Sequence, residues 1–203
     1  MHRRILLSAA YARESRVESE VPAASIDPEN TTLWRREPRR LEAEAIRDSM
    51  LSIGGQLDTR MYGPGTLDSN MKRRSVYFFI KRSQLIPMMM LFDWPEHLVS
   101  IGQRSSTTIA PQALMFMNSP QGRAMAGALA ARLDTADDGQ AIDEAYRLAF
   151  GRSPRDDERE LGLEFLRRQA QRHVEAGHPH PAQSARIDYC QSLMSLNEFV
   201  YID

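Results

Sequence analysis

Arg36, Arg39, Arg40, Glu42, Glu44, Arg47 and Asp48 crowd guanidinium and carboxylate groups into one short stretch, "RREPRRLEAEAIRDSM". Three kinds of chemistry could use such a set. Two carboxyls about 5–10 Å apart across a groove can act as acid and base on a glycosidic bond. That requires one of them to sit in a cleft with a shifted pKa. An open row of arginines can grip sulfate or uronate groups in a bidentate manner. Arginines and acids can also pair with one another and fix the geometry of the fold. Placed on a helix over residues 39–53, Ala43, Ile46, Met50 and Ile53 form one apolar stripe. Arg40, Glu44 and Arg47 then fall three or four apart on another face, where an ion-pair ladder is worth a few tenths of a kcal/mol per exposed pair. The spacing therefore predicts an amphipathic helix with a structural Arg–acid network, and nothing in it demands catalysis. Pro38 can open this helix, and Gly54 or Gly55 can close it.

Other reactive side chains are read the same way. His178 and His180 in "GHPHPA" lack a third ligand nearby and read as a surface loop. The "MMM" run at 88–90 carries soft thioethers that suit copper(I), but methionines of this kind serve mostly as core filler. The hydroxyls of "RSSTTIAPQ" suit helix capping; Ser105 or Ser106 as a nucleophile would need a G-x-S-x-G-type setting that is absent. Cys190, the one cysteine, excludes an intrachain disulfide and reads as a buried thiol. No P-loop, G-x-G-x-x-G, H-E-x-x-H or C-x-x-C-H occurs, and no catalytic, cofactor or metal residue is assigned.

The elements that must hold these groups are mostly helical. With 42% hydrophobic and 26% charged residues in 203, the chain can bury a core of its own. A net charge of −1 gives no general pull toward nucleic acid, and no apolar run reaches the ~20 residues of a membrane span. "MHRRILLSAAYARES" is too short in its apolar part for a signal peptide and reads as an amphipathic helix, with Ile5, Leu6, Ala9 and Ala10 on one face. "RVESEVPAAS" reads as an exposed connection. "DPENTTLWRR" predicts a short helix capped by Asp27, with Trp34 as its buried anchor. "MYGPGTLDSN" reads as a loop, "RRSVYFFIKRS" as a strand, and "QLIPMMMLFDWPEHLVSIGQRSSTT" as irregular. Helices follow at "APQALMFMN", "PQGRAMAGALAARL", "DDGQAIDEAYRLAFG", "SPRDDERELGLEFLRRQAQRHVEAG" (with Ser153 as N-cap) and "HPHPAQSARIDYCQSLMSLNEFVYID". The expected fold is mainly α, a single-domain bundle of six to eight helices over 1–203 with one short strand or hairpin near residues 75–81.

Several of these blocks together, "MHRRILLSAAYARES", "DPENTTLWRR", "RRLEAEAIRDSML", "RRSVYFFIKRS", "FDWPE", "RSSTTIAPQALMFMNSP", "AYRLAFGRSPRDDE" and "NEFVYID", resemble the C-terminal planctomycete-specific domain of unknown function (PSD1-type). The resemblance implies an uncharacterised domain at the back of a large exported protein, outside the cytoplasm, with c-type haem carried only by an upstream domain and none in this chain. It implies the upstream domains of the same polypeptide as partners, with polysaccharide or a sulfatase-like neighbour as further ones. No catalytic residue carries over. Two expectations follow. One is a non-catalytic structural or interaction domain of an exported, haem-associated multidomain protein. The other is part of an extracytoplasmic enzyme acting on (sulfated) polysaccharide, with Glu42, Glu44, Asp48 or acids near the Tyr62–Ser69 loop as acid and base. If upstream chain completes the domain, the apolar face of the first helix is left exposed here.

Overall fold

The computed structural model describes residues 1–15, 22–81, 83–95 and 102–202, which fall into two compact units, Met1–Arg40 plus Tyr201–Asp203, and Leu41–Val200. The expected connection at 16–21 and the middle of the irregular stretch, 96–101, lie outside the described residues.

The first unit carries two helical turns, α1 (His2–Leu6) and α2 (Pro22–Ile26), and a two-residue antiparallel pairing of β1 (Arg39–Arg40) with β2 (Tyr201–Ile202). Ile5 and Leu6 are 52% and 54% exposed; Ala9 and Ala10, read as part of the same helix face, are exposed but lie beyond the helix, which ends at Leu6. Pro22 opens one helical turn where an unstructured connection was expected. Asp27 caps a turn instead of a helix. Its carboxylate accepts from the N–H and hydroxyl of both Thr31 and Thr32 at 2.8–3.0 Å. Four such bonds satisfy a turn completely and leave nothing to propagate a helix. They also lower its pKa to about 2, the Thr32 backbone bond contributing most. Trp34 is half-buried and donates its indole N–H to Asp27 O at 2.7 Å.

The second unit is helical: α3 (Ala43–Ile53), α4 (Pro87–Leu91), α5 (Ala110–Asn118), α6 (Pro120–Arg132), α7 (Asp138–Phe150), α8 (Asp156–Glu175), α9 (Pro181–Met194) and α10 (Asn197–Val200). The mainly α expectation is borne out; among the described residues, six helices reach nine residues or more. Helix α9 is the hub and packs against α5, α6, α7, α8 and α10. Its Ala185, Tyr189, Cys190, Leu193 and Met194 are buried. Close approach of α8 to α9 depends on Gly162, where an added Cβ would lie 2.8 Å from the Tyr189 hydroxyl and 3.0 Å from Ile142 Cδ1. Asp137 caps α7 through the N–H groups of Gly139 and Gln140, and Gly151 ends it at φ 73°, a left-handed stop that favours glycine. The cap of α8 falls at Arg155, not Ser153, and the Glu158 side chain accepts the Arg155 N–H at 2.8 Å.

Two readings around the first helix of this unit need correction. Helix α3 begins at Ala43, not near residue 39, because Arg39 and Arg40 are strand residues. Residues 75–81 are not a strand. Ser75–Tyr77 makes a 3-10 turn, Phe78 bridges Thr66, and Lys81 bridges Gln84. β-propensity reports fit to a half-buried pleated surface, and no alternation exists here. Phe78 is buried, but Val76, Phe79 and Ile80 are all 54–68% exposed. The "MMM" run forms α4, with Met88 and Met89 in the core beside Phe92 and Trp94.

Candidate functional site: the arginine–carboxylate clusters of α3

Of the seven sequence candidates, Arg36, Arg39 and Arg40 belong to the first unit and Glu42, Glu44, Arg47 and Asp48 to the second. Arg36 donates its backbone N–H to Glu14 O at 3.1 Å and lays its guanidinium 5.1 Å from the Tyr11 ring centre. Arg39 and Arg40 pair through their backbones with Ile202 and Tyr201. The predicted Arg40–Glu44–Arg47 ladder does not form, since Arg40 is not helical and Glu44 and Arg47 each take more distant partners.

Arg47 is 2% exposed and spreads its fork over the loop that follows α3. Nη1 donates to Arg73 O at 3.1 Å and to Ser75 Oγ at 3.2 Å, and Nη2 donates to Met71 O. The Phe78 ring lies 4.7 Å from the same guanidinium. Burial lowers the Arg47 pKa, and the Asp48 charge opposes that shift. Asp48 accepts the Ser75 N–H at 2.8 Å and the Ser75 hydroxyl at 2.7 Å, with Arg74 Nε 3.7 Å away. Ser75 thus receives from Arg47 and gives to Asp48, which fixes the direction of its hydroxyl. Beyond it, Arg73 donates to the carbonyls of Arg60, Tyr62 and Pro64 and stacks 3.6 Å from the Tyr77 ring centre. The Tyr77 hydroxyl accepts the Tyr62 N–H at 2.6 Å.

The second cluster is built on Glu44. Arg104 holds both of its oxygens at 2.8 Å, Trp94 Nε1 donates to Oε1 at 2.9 Å, and Glu42 reaches the same guanidinium at 3.2 Å. Burial pushes the Glu44 carboxyl up, but the Arg104 hydrogen bonds and charge, with help from Trp94, leave it below the usual range. Arg104 is raised in turn, chiefly by the bond to Glu44. The next turn is held by Thr107, which donates its N–H and hydroxyl to Asp93 at 2.8 and 2.9 Å, Asp93 itself having φ 60°.

Chemically, both clusters tie segments together. A general acid needs a raised pKa; Glu44 moves the other way, and Glu42 and Glu44 converge on one cation. Sequence reasoning missed Trp94, Arg104, Arg73 and Ser75. "FDWPE" and "RSSTT" flagged their neighbourhoods, but a partner 50 or 60 residues away along the chain leaves no spacing signal. Of the hydroxyls of "RSSTT", that of Thr107 forms a turn with Asp93, and the start of α5 is capped by Gln112, which accepts the Ile109 N–H at 3.3 Å and donates to Leu91 O at 3.0 Å. Cys190 is buried in α9, and burial raises its thiol to about 12. His178 and His180 are exposed. Among the described residues no group of three or more His, Cys, Asp or Glu is placed to hold a metal ion, and no helix is long and apolar enough to cross a membrane.

No curated protein and no solved structure matches the chain. The resemblance carried by the motif blocks is borne out: residues 1–166 match PSD1, described as a protein of unknown function (DUF1553), and the chain belongs to that family.

Proposed function

We propose that this chain is a non-catalytic structural or interaction domain of an exported, haem-associated multidomain protein. The observation that carries the reading is the inward direction of the α3 charges. Arg47 is spent on main-chain oxygens, Asp48 on Ser75, and Glu44 on Arg104 and Trp94. The alternative, a polysaccharide-cleaving enzyme, needs one protonated carboxyl facing an ionised one. The lowered Glu44 does not supply the protonated member. In this reading the partners are upstream domains of the same polypeptide and the address is extracytoplasmic. Haem belongs to an upstream domain, since covalent C-x-x-C-H attachment uses two cysteines and this chain has one, buried in α9.

The test uses the full-length polypeptide from its native host. Its cleavage of sulfated and unsulfated polysaccharides is measured beside Glu42→Gln and Glu44→Gln variants, with circular dichroism as the folding control. Glycan cleavage that falls at least about 100-fold in folded variants, the scale of losing an acid–base group, overturns the proposal. Absence of cleavage, or cleavage indifferent to both substitutions, together with co-purifying haem, supports it.

A further inference from the structure

Residues 58–85, the loop that Arg47 and Arg73 shape, differ from the rest of the chain in charge and in surface. They hold six basic residues, Arg60, Lys72, Arg73, Arg74, Lys81 and Arg82, against two acids, Asp58 and Asp68. That is a surplus of four positive charges in a chain whose net charge is −1, and it includes both lysines of the sequence. The same loop leaves Met61, Tyr62, Val76, Phe79 and Ile80 54–80% exposed.

Their exposure is fixed by the backbone. Residues 60–66 and 73–79 are laced side by side: Thr66 donates its N–H to Tyr77 O and its carbonyl accepts the Phe79 N–H, both at 2.9 Å. The Phe79 ring lies against Gly65, where an added Cβ would stand 3.5 Å from the ring and 2.7 Å from Tyr77 O. Phe78 takes the inward place and is buried, so the register that seats it leaves Phe79 and Ile80 in water.

Apolar side chains held out on one such surface mark a place of contact, and the charges beside them indicate with what. Arg60 and Arg74 stay 83% and 62% exposed despite their pairings with Asp58 and Asp48, and Lys72 and Lys81 are exposed. Lysine is depleted where proteins meet proteins. At a bilayer its stem lies along apolar surface while the ammonium reaches the lipid phosphates. Among the described residues no helix is long and apolar enough to span a bilayer. The contact that fits is therefore with the surface, apolar side chains entering the boundary between headgroups and acyl chains.

We propose that the 58–85 loop docks on an anionic phospholipid bilayer, with Val76, Phe79 and Ile80 entering the interface and Lys72 and Lys81 meeting lipid phosphates. This goes beyond the structural role proposed above and does not depend on it.

The experiment incubates the full chain with vesicles of phosphatidylcholine and phosphatidylglycerol, mixed at about three to one, and with vesicles of phosphatidylcholine alone. Binding is read by co-sedimentation. The anionic vesicles are expected to bind at least about 25-fold tighter, two cations at about fivefold each, and salt at about 1 M should erase the difference. Lys72→Gln with Lys81→Gln should remove most of that preference. Val76→Ser with Ile80→Ser should weaken binding by about tenfold or more. Both pairs are surface changes and should retain the helical circular dichroism. Leu161→Ser, at an exposed apolar position of α8, should change nothing. Absence of binding to the anionic vesicles, or equal binding to both kinds, overturns the proposal, as does binding that Leu161→Ser weakens as much as the loop pairs do. Self-association of the free chain in sedimentation velocity, lost in Val76→Ser with Ile80→Ser, would assign the loop to a second copy and overturn it likewise.

Discussion

The neighbourhood of α3 and that of α7–α9 belong to the same unit and are held together by different means. Around α3, a loop of some twenty residues with little regular structure takes its shape from two guanidinium groups that grip main-chain oxygens, Arg47 on Met71 and Arg73, and Arg73 on Arg60, Tyr62 and Pro64. Around α9, apolar faces do the holding, and charges such as Arg152–Glu158–Glu198, Arg159–Asp143 and Arg123–Asp188 tie neighbouring segments at the margin. His173 joins that margin, its Nε2 lying 2.6 Å from Asp188. A loop without a sheet or helix ladder must still pair its buried backbone groups. A buried arginine with five donors can supply that pairing from one position. The first region therefore concentrates its stability in a few side chains, and the second spreads it over many.

That contrast can be broken most sharply at Arg47. Arg47→Ala strips the Met71 and Arg73 carbonyls and Ser75 of a buried donor. It is expected to cost about 3–5 kcal/mol, a fall of melting temperature on the order of 10 °C. Arg47→Lys should recover less than half of the loss, because an ammonium cannot span the fork. A full rescue by lysine, seen in urea denaturation, would mean that charge and not geometry holds the loop.

A smaller effect is expected in the helical region. Gly162→Ala gains about 1 kcal/mol in helix propensity, but its Cβ would press on the Tyr189 hydroxyl at 2.8 Å. Overpacking costs about 1–3 kcal/mol, so the net loss is about 1 kcal/mol. Tyr189→Phe alone should be neutral or stabilising, since it removes a buried hydroxyl that has no partner. In the double variant the Gly162→Ala penalty should shrink, with the Ile142 Cδ1 contact at 3.0 Å remaining. An additive double-mutant cycle would place the strain elsewhere.

The smallest effect is electrostatic. Arg152 draws the Glu158 carboxyl from its ordinary 4.5 down to about 2, against the upward push of burial and with help from the Arg155 N–H. A carboxyl depressed in the folded state contributes fully above its unfolded pKa and loses that contribution as pH falls through the folded one. Stability should therefore drop between about pH 4.5 and 2, and Glu158→Gln should flatten that segment of the curve. With Arg152 31% exposed, the contribution stays below about 1 kcal/mol. An unchanged acid limb in the variant would show that Glu158 is not the group responsible.

The same contrast explains what could be read beforehand. Helices α5 to α9 announce themselves through proline starts, the Asp137 cap, the Gly151 stop and apolar residues at helical spacing, all of which are local. The region around α3 was legible only in part. Its apolar stripe of Ala43, Ile46, Met50 and Ile53 is buried as expected, and Gly54 and Gly55 end the helix. The partners of its charges were not legible. Arg40 and Glu44 stand four apart in sequence, but the chain changes from strand to helix between them, and that breaks the spacing on which a ladder depends. The residues 75–81 misled for a related reason: their β-branched and aromatic side chains are set by a turn that Asp48 and Arg47 impose from outside.

One consequence of the Arg47 fork concerns how this segment can change over generations. A carbonyl oxygen is the same whichever residue bears it, so the identities at 71 and 73 matter little to this bond. The number of residues between α3 and those oxygens matters a great deal, because one added or deleted residue would slide a different carbonyl, pointing another way, beneath the guanidinium. Drift in this stretch should therefore run to substitutions and avoid changes of length.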